Sequence, residues 1–127
     1  HAIYFVLLGS GMRTMDSFEN WMTQVRKGIL ELCILNALDG GECYGYDLVR
    51  KLRGVPGLDV AEGTLYPLLS RLRMQGLVRT RLVESPEGPA RKYYALTGDG
   101  RRNLGLMNGY LKRLVEGSLS LKGKEES

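Results

Sequence analysis

The sequence predicts a mainly α fold that carries a small β-hairpin and ends in a long amphipathic helix. Three observations predict it. Apolar residues recur at helical spacing over three successive stretches between Thr23 and Gln75. After Gly76 the period changes to two, and from Thr97 onward a heptad pattern takes over. The 127 residues fit one domain of about 100–150 residues. An apolar share of 43% with 25% charged residues excludes a disordered tail, a collagen-like fibre and a disulfide scaffold.

The first helix is expected over Thr23 to Leu38, with Thr23 as its N-cap and Val25, Ile29, Leu32, Cys33 and Leu35 as a broad buried stripe. Asp39-Gly40-Gly41 stops it. A short second helix runs from Tyr44 to Leu52, and Gly54, Pro56 and Gly57 turn the chain. The third helix spans about Gly63 to Gln75, with Leu65, Leu68, Leu69 and Leu72 on one face and Gly76 as its C-terminal stop. Val78, Thr80 and Leu82 then alternate with Arg79, Arg81 and Val83, a strand with one basic face. Glu84 to Pro89 form a turn-rich tip, and Arg91 to Leu96 return as the second strand of a hairpin. The last helix starts near Thr97 and runs to about Leu119, with Leu104, Met107, Leu111 and Leu114 as its heptad stripe.

Three helices followed by a hairpin is the order of a winged helix-turn-helix. The chain divides accordingly into an extension (1–21), a winged helix-turn-helix DNA-binding domain (22–97), a C-terminal dimerisation helix (98–121) and a charged tail (122–127). The extension opens on His1, and Leu8-Gly9-Ser10-Gly11-Met12 reads equally as an engineered linker or as natural sequence. Its apolar run, Ala2 to Leu8, lacks the basic leader of a signal peptide, and no stretch approaches the roughly 18 consecutive apolar residues of a membrane helix. With Cys33 and Cys43 alone there is no disulfide framework, so a reducing cytoplasm is the expected compartment.

In a helix-turn-helix the first helix of the pair braces the second, whose exposed side enters the DNA major groove. The third helix suits that role. Opposite its leucines, Tyr66, Ser70 and Arg73 form one polar stripe, and Thr64, Arg71 and Gln75 form another. Each stripe holds an Arg, the side chain best fitted to a guanine edge or a phosphate. Periodicity leaves open which stripe faces DNA. The following hairpin carries Arg79, Arg81, Arg91 and Lys92 with Tyr93 and Tyr94 interleaved, while Glu84 and Glu87 near the tip repel phosphate. The strands, more than the tip, are therefore the expected backbone contacts. The net charge is +4, and these residues concentrate the positive side of it. The heptad stripe of the last helix needs a surface to cover it, and a two-fold dimer would set two recognition helices about one DNA turn, ~34 Å, apart.

These segments resemble the PadR family of bacterial transcriptional regulators. The resemblance rests on Lys27-Gly-Ile-Leu-Glu-Leu32, Tyr44-Gly-Tyr-Asp-Leu48, Gly63-Thr-Leu-Tyr-Pro-Leu-Leu69, Arg71-Leu72 and Gly76-Leu77-Val78. It continues through Gly88-Pro89, Arg91-Lys-Tyr-Tyr94, Leu96-Thr97 and Gly100, covering about Met22 to Arg102. The resemblance implies a homodimeric repressor that leaves a palindromic operator in double-stranded DNA when a small-molecule effector or stress signal arrives. By matching position it implies that Thr64, Tyr66 and Ser70 face the groove or its phosphates, that Arg91 and Lys92 hold the backbone, and that Lys27 is a further phosphate contact. Arg73 stands where the family often has Glu, adding positive charge beside the groove. The last helix is single and short, as in the family's smaller subgroup, and Tyr110 is its one aromatic residue, which puts a drug-sandwiching mode in doubt.

Three rival classes make different demands. An enzyme needs His, Cys or clustered carboxylates, yet the one His is His1, no CxxC or Walker-type loop occurs, and Gly98 and Gly100 form a lone GxG. No enzyme activity, cofactor or metal site is therefore expected. A thiol redox-sensing regulator needs a reactive cysteine. Cys33 instead reads as a small buried hydrophobe, and Cys43 lies among Asp39, Glu42 and Asp47, where negative charge disfavours a thiolate. A winged-helix protein–protein interaction module would leave the basic stripes without a role.

Overall fold

The computed structural model describes residues 13–123. Contacts divide the chain into two compact units, residues 1–30 and 31–127. The element order is α1 (Arg13–Ala37), β1 (Cys43–Tyr44), α2 (Gly45–Arg53), α3 (Glu62–Met74), β2 (Val78–Ser85), β3 (Gly88–Leu96) and α4 (Gly98–Ser120).

In the first unit, α1 is already helical at Arg13, so Thr23 is an interior residue and not an N-cap. Its Oγ1 donates to the Glu19 carbonyl at 3.0 Å, the back-bond a helical Thr makes. Phe18 and Trp21 stack at 6.3 Å between ring centroids, and both are exposed together with Val25. Their spacing of three and four residues is itself a helical signal inside the supposed extension. The readings placed on His1 and on Ala2 to Leu8 lie outside the described residues.

In the second unit, the last turns of α1 bury Leu32, Ile34 and Leu35, and α2 buries Leu48, Val49 and Leu52. From α3 come Leu65, Leu69 and Leu72, the i, i+4, i+7 face the periodicity predicts, with Leu68 half-buried beside them. Leu77, Val78 and the run Tyr94 to Leu96 close the core from the sheet side, and Leu104 closes it from α4.

Helix α3 ends in a Schellman motif. Gly76 takes φ +80°, its N–H donates to the Arg73 carbonyl, and the Leu77 N–H donates to the Leu72 carbonyl, both at 3.0 Å. A side chain at Gly76 would strain that left-handed conformation, which is why glycine stops the helix there. The chain leaves the motif pointing directly into β2.

The three strands order as β1-β3-β2, all antiparallel. The hairpin is longer than its sequence suggests, because pairing continues to Ser85 opposite Gly88 across an irregularity after Val83. Strand β1 is not legible in the sequence, since two residues carry no readable period. Thr97 caps α4: its Oγ1 accepts from the Gly100 N–H at 2.9 Å and donates to the Gly76 carbonyl at 2.6 Å. The end of α3 and the start of α4 are thus held at one point. There Gly100 lies against the backbone, since a Cβ on it would sit 2.0 Å from the Leu77 carbonyl oxygen. The second glycine of the GxG is explained by this close approach. The end of α1 is joined to α4 by a reciprocal amide pair, Asn36 with Asn108, at 2.9 and 3.0 Å.

Candidate nucleic-acid interface

The geometry separates the two polar stripes of α3. Arg71 points back to α1, where its guanidinium pairs with Glu31 at 3.2 Å. Its stripe-mates Thr64 and Gln75 are exposed. The other stripe turns toward the sheet. A Cβ added at Gly45 would meet the Tyr66 hydroxyl at 3.4 Å and the Tyr94 ring at 3.5 Å, so glycine in Tyr44-Gly45-Tyr46 lets both rings approach. Burial, followed by the charge of Glu62, raises the Tyr66 hydroxyl above its ordinary pKa. Tyr66 is therefore packed against its own domain along one edge and exposed along the other. Burial likewise raises Tyr94, with the charge of Tyr66 adding to that rise and the positive charge of Arg73 opposing it. Ser70 and Arg73 are exposed and make no side-chain hydrogen bond or salt bridge among the described residues.

Strand alternation sorts the wing. Arg79, Arg81 and Val83 lie opposite Ala95, Tyr93 and Arg91, so Arg79, Arg81, Arg91 and Tyr93 share one face. Thr80 and Leu82 lie opposite Tyr94 and Lys92, on the other face. Adjacent residues on a strand must part in this way, so Arg91 and Lys92 do not act side by side. Lys92 shares the sheet face of Tyr94, and Tyr94 approaches Tyr66 of α3 beside Gly45.

On the opposite face two tyrosine rings lie between two arginines. Arg91 lies 4.9 Å from the Tyr44 ring, Tyr44 and Tyr93 are 5.7 Å apart, and Arg81 lies 5.5 Å from Tyr93. Arg81 is further held by Glu42, whose carboxylate takes its Nε at 2.9 Å and a second guanidinium nitrogen. That hydrogen bond holds the Glu42 carboxyl below the usual carboxylate range and lifts Arg81 above its own. The basic face predicted for β2 is therefore present, but Arg81 is occupied by a partner in the turn before β1. Glu42 and Tyr44 were missed as partners of the wing because the strand that carries Tyr44 was not legible.

Lys27 is exposed on α1, in the first unit. On α4, Leu104 is buried in its own unit at 4% exposure and is not available to a second copy. Met107 and Leu111 are half-buried, while Leu106, Tyr110, Leu114, Val115 and Leu119 are exposed. The cysteines also depart from expectation. Cys43 is the buried one and Cys33 the half-buried one, with burial pushing the Cys33 thiol up. The contact at Cys43 is not an acidic one: Lys51 Nζ lies 3.3 Å from its Sγ. Among the described residues no helix is long and apolar enough to cross a membrane, and no group of His, Cys, Asp and Glu could hold a metal ion.

Comparison with known proteins places this arrangement in a family. Residues 34–106 match the profile of the transcriptional regulator PadR-like family. The chain is similar to a PadR-like transcription factor from Bacteroides fragilis, with 44% identity over 81% of this chain and 99% of that one at a TM-score of 0.69. It is similar also to a PadR family transcriptional regulator from Eggerthella lenta, with 32% identity, 87% and 96% coverage, and a TM-score of 0.77. With Bacillus subtilis PadR, solved in complex with operator DNA, it shares the fold: the TM-score is 0.53 at 22% identity, over 78% of this chain and 50% of that one. The chain belongs to the PadR-like family of transcriptional regulators.

Proposed function

We propose that this regulator binds double-stranded operator DNA as a homodimer and represses transcription until a small-molecule effector or a stress signal releases it. The observation that carries the reading is the exposed stripe of Ser70 and Arg73 on α3, flanked by Tyr66, with Lys92 on the same sheet face as Tyr94. A helix with hydrogen-bonding side chains on its outer face and a cation on the neighbouring strand suits base edges and phosphates together. Thr64 lies at the N-terminal end of α3, the part of a recognition helix that reaches deepest into the groove. Arg91, stacked on Tyr44, is pre-organised for a phosphate. Arg71 is a further phosphate contact only after parting from Glu31, and Lys27, exposed on the first unit, is a phosphate contact by its match to the family. The operator complex of the related fold supports this reading, and so does the exposed apolar side of α4. There Met107, Leu111 and Leu114, with Tyr110, would pack against a second copy.

Salt dependence tests it. Binding to the DNA upstream of the protein's own gene should weaken with a log–log slope of about −5 or steeper if a dimer neutralises some six phosphates. Absence of retention on that DNA at low salt overturns the reading.

A further inference from the structure

We infer that Tyr44, which lies outside both α3 and the wing, is a positioning residue for DNA binding: its ring carries the Arg91 guanidinium where the wing leaves the sheet and holds it ready for a phosphate. This role rests on the DNA-binding reading above. Strand β1 pairs with β3 through two residues, Cys43 opposite Tyr94 and Tyr44 opposite Tyr93, whereas β2 and β3 stay paired out to Ser85 and Gly88. Past Tyr93 the wing is therefore a ribbon of two strands. Arg91 is the first residue of that ribbon on the outer face, since Lys92 lies on the other side. It sits diagonal to Tyr44, a separation that long side chains span. Its guanidinium carbon lies 4.9 Å from the centre of the Tyr44 ring.

Tyr44 is also the N-cap of α2. Ser, Thr, Asp and Asn are favoured there because their side-chain oxygen accepts a hydrogen bond from the first turn. Tyr44 makes no such bond, and its ring lies half-buried between Arg91 and Tyr93. Tyr93 backs it at 5.7 Å, and beyond Tyr93 comes Arg81, held by Glu42. The two arginines at the ends of this row differ. Arg81 has a carboxylate, whereas Arg91 makes no salt bridge among the described residues. A guanidinium carried over a ring keeps its in-plane N–H donors for a third group. Arg91 thus offers its charge and its donors on a side chain already held in place, which lowers the ordering cost of a contact. Because Tyr44 starts α2, the helix that precedes α3, its ring fixes the wing cation relative to the helix proposed to read bases.

The test measures the full chain on its upstream DNA by fluorescence anisotropy across a salt series. Tyr44→Leu should weaken binding about tenfold and make the log–log salt slope shallower by about 2 for a dimer, one phosphate per half-site. Tyr44→Met, similar in length and without a ring, is read beside it, so that loss of fold in one variant, seen by circular dichroism, leaves the other to decide. Tyr44→Phe, which keeps the ring, should restore affinity and slope. In an Arg91→Gln background, Tyr44→Leu should cost less than about twofold, because the two residues act as one unit. In the free wild-type chain, NMR cross-peaks should link the Arg91 side chain to the Tyr44 ring. Absence of those cross-peaks, or unchanged DNA affinity without the ring, overturns the inference. Tyr44→Phe falling as far as Tyr44→Leu would assign the effect to the hydroxyl, and a full tenfold loss in the Arg91→Gln background would assign it to α2. Either result overturns the role. No binding by the wild-type chain at low salt overturns the regulator reading together with it, whereas wild-type binding with any failure above overturns the role of Tyr44 alone.

Discussion

Gly100 and Glu42 show how single residues set the frame of the interface. A methyl group at Gly100 would stand 2.0 Å from the Leu77 carbonyl oxygen, a backbone atom that cannot swing aside. Gly100→Ala should therefore destabilise the fold by ~3 kcal/mol or more, read by denaturant unfolding. Gly98→Ala, whose nearest neighbour would be the tip of Arg102 at 3.8 Å, should stay within about 0.5 kcal/mol of wild type. Equal losses would mean that the close approach to Leu77 is not what fixes the start of α4. Sequence alone could not separate these two glycines, because what distinguishes them is a carbonyl more than twenty residues away. Glu42 carries a pH signature. Its folded pKa lies below the ordinary value, so the stability it adds is present above that ordinary value and is lost as the pH falls through the folded one. Unfolding followed between pH 3 and 7 should show a shallower acid loss in Glu42→Gln than in wild type. The same acid loss in both would show that Arg81 gains nothing from this carboxylate.

At the scale of elements, α3 is where sequence and structure agree best, because a leucine face at helical spacing dictates which residues face outward. Periodicity could not rank the two outward stripes. That ranking comes from neighbours on other elements: Glu31 on α1 takes Arg71, while Gly45 and Tyr94 seat Tyr66. Arg73→Ala should consequently weaken specific DNA binding by about 1–3 kcal/mol in fluorescence anisotropy. Arg71→Ala should lose well under half of that, since its guanidinium is already engaged. The reverse order would assign the groove to the Thr64 stripe. The wing was legible in part. Alternation alone implies that Arg91 and Lys92 face opposite ways, yet the Tyr44 ring under Arg91 belongs to a strand of two residues that no periodicity reveals. The early start of α1 is legible in the helical spacing of Phe18, Trp21 and Val25, although the segment that carries them reads as an appendage.

At the scale of the whole molecule, one chain offers one α3, the helix proposed to read DNA, and an α4 that turns from core element to exposed helix along its length. Leu104 is buried, Met107 and Leu111 are half-buried, and Leu114, Val115 and Leu119 are exposed. The heptad pattern foretold the stripe, but only burial shows where the domain stops using it. Covering the remainder with a second copy pairs two α3 helices and gives the mild +4 charge a focused purpose at two half-sites. The central claim is that the α3 stripe and the wing of a dimer read operator DNA. A hydroxyl-radical footprint on the DNA upstream of the gene tests it most directly. The account predicts two protected tracts centred about one helical turn, ~34 Å, apart, both lost in a Ser70→Ala, Arg73→Ala double variant that keeps its fold. A single tract, or protection unchanged in that variant, would contradict it.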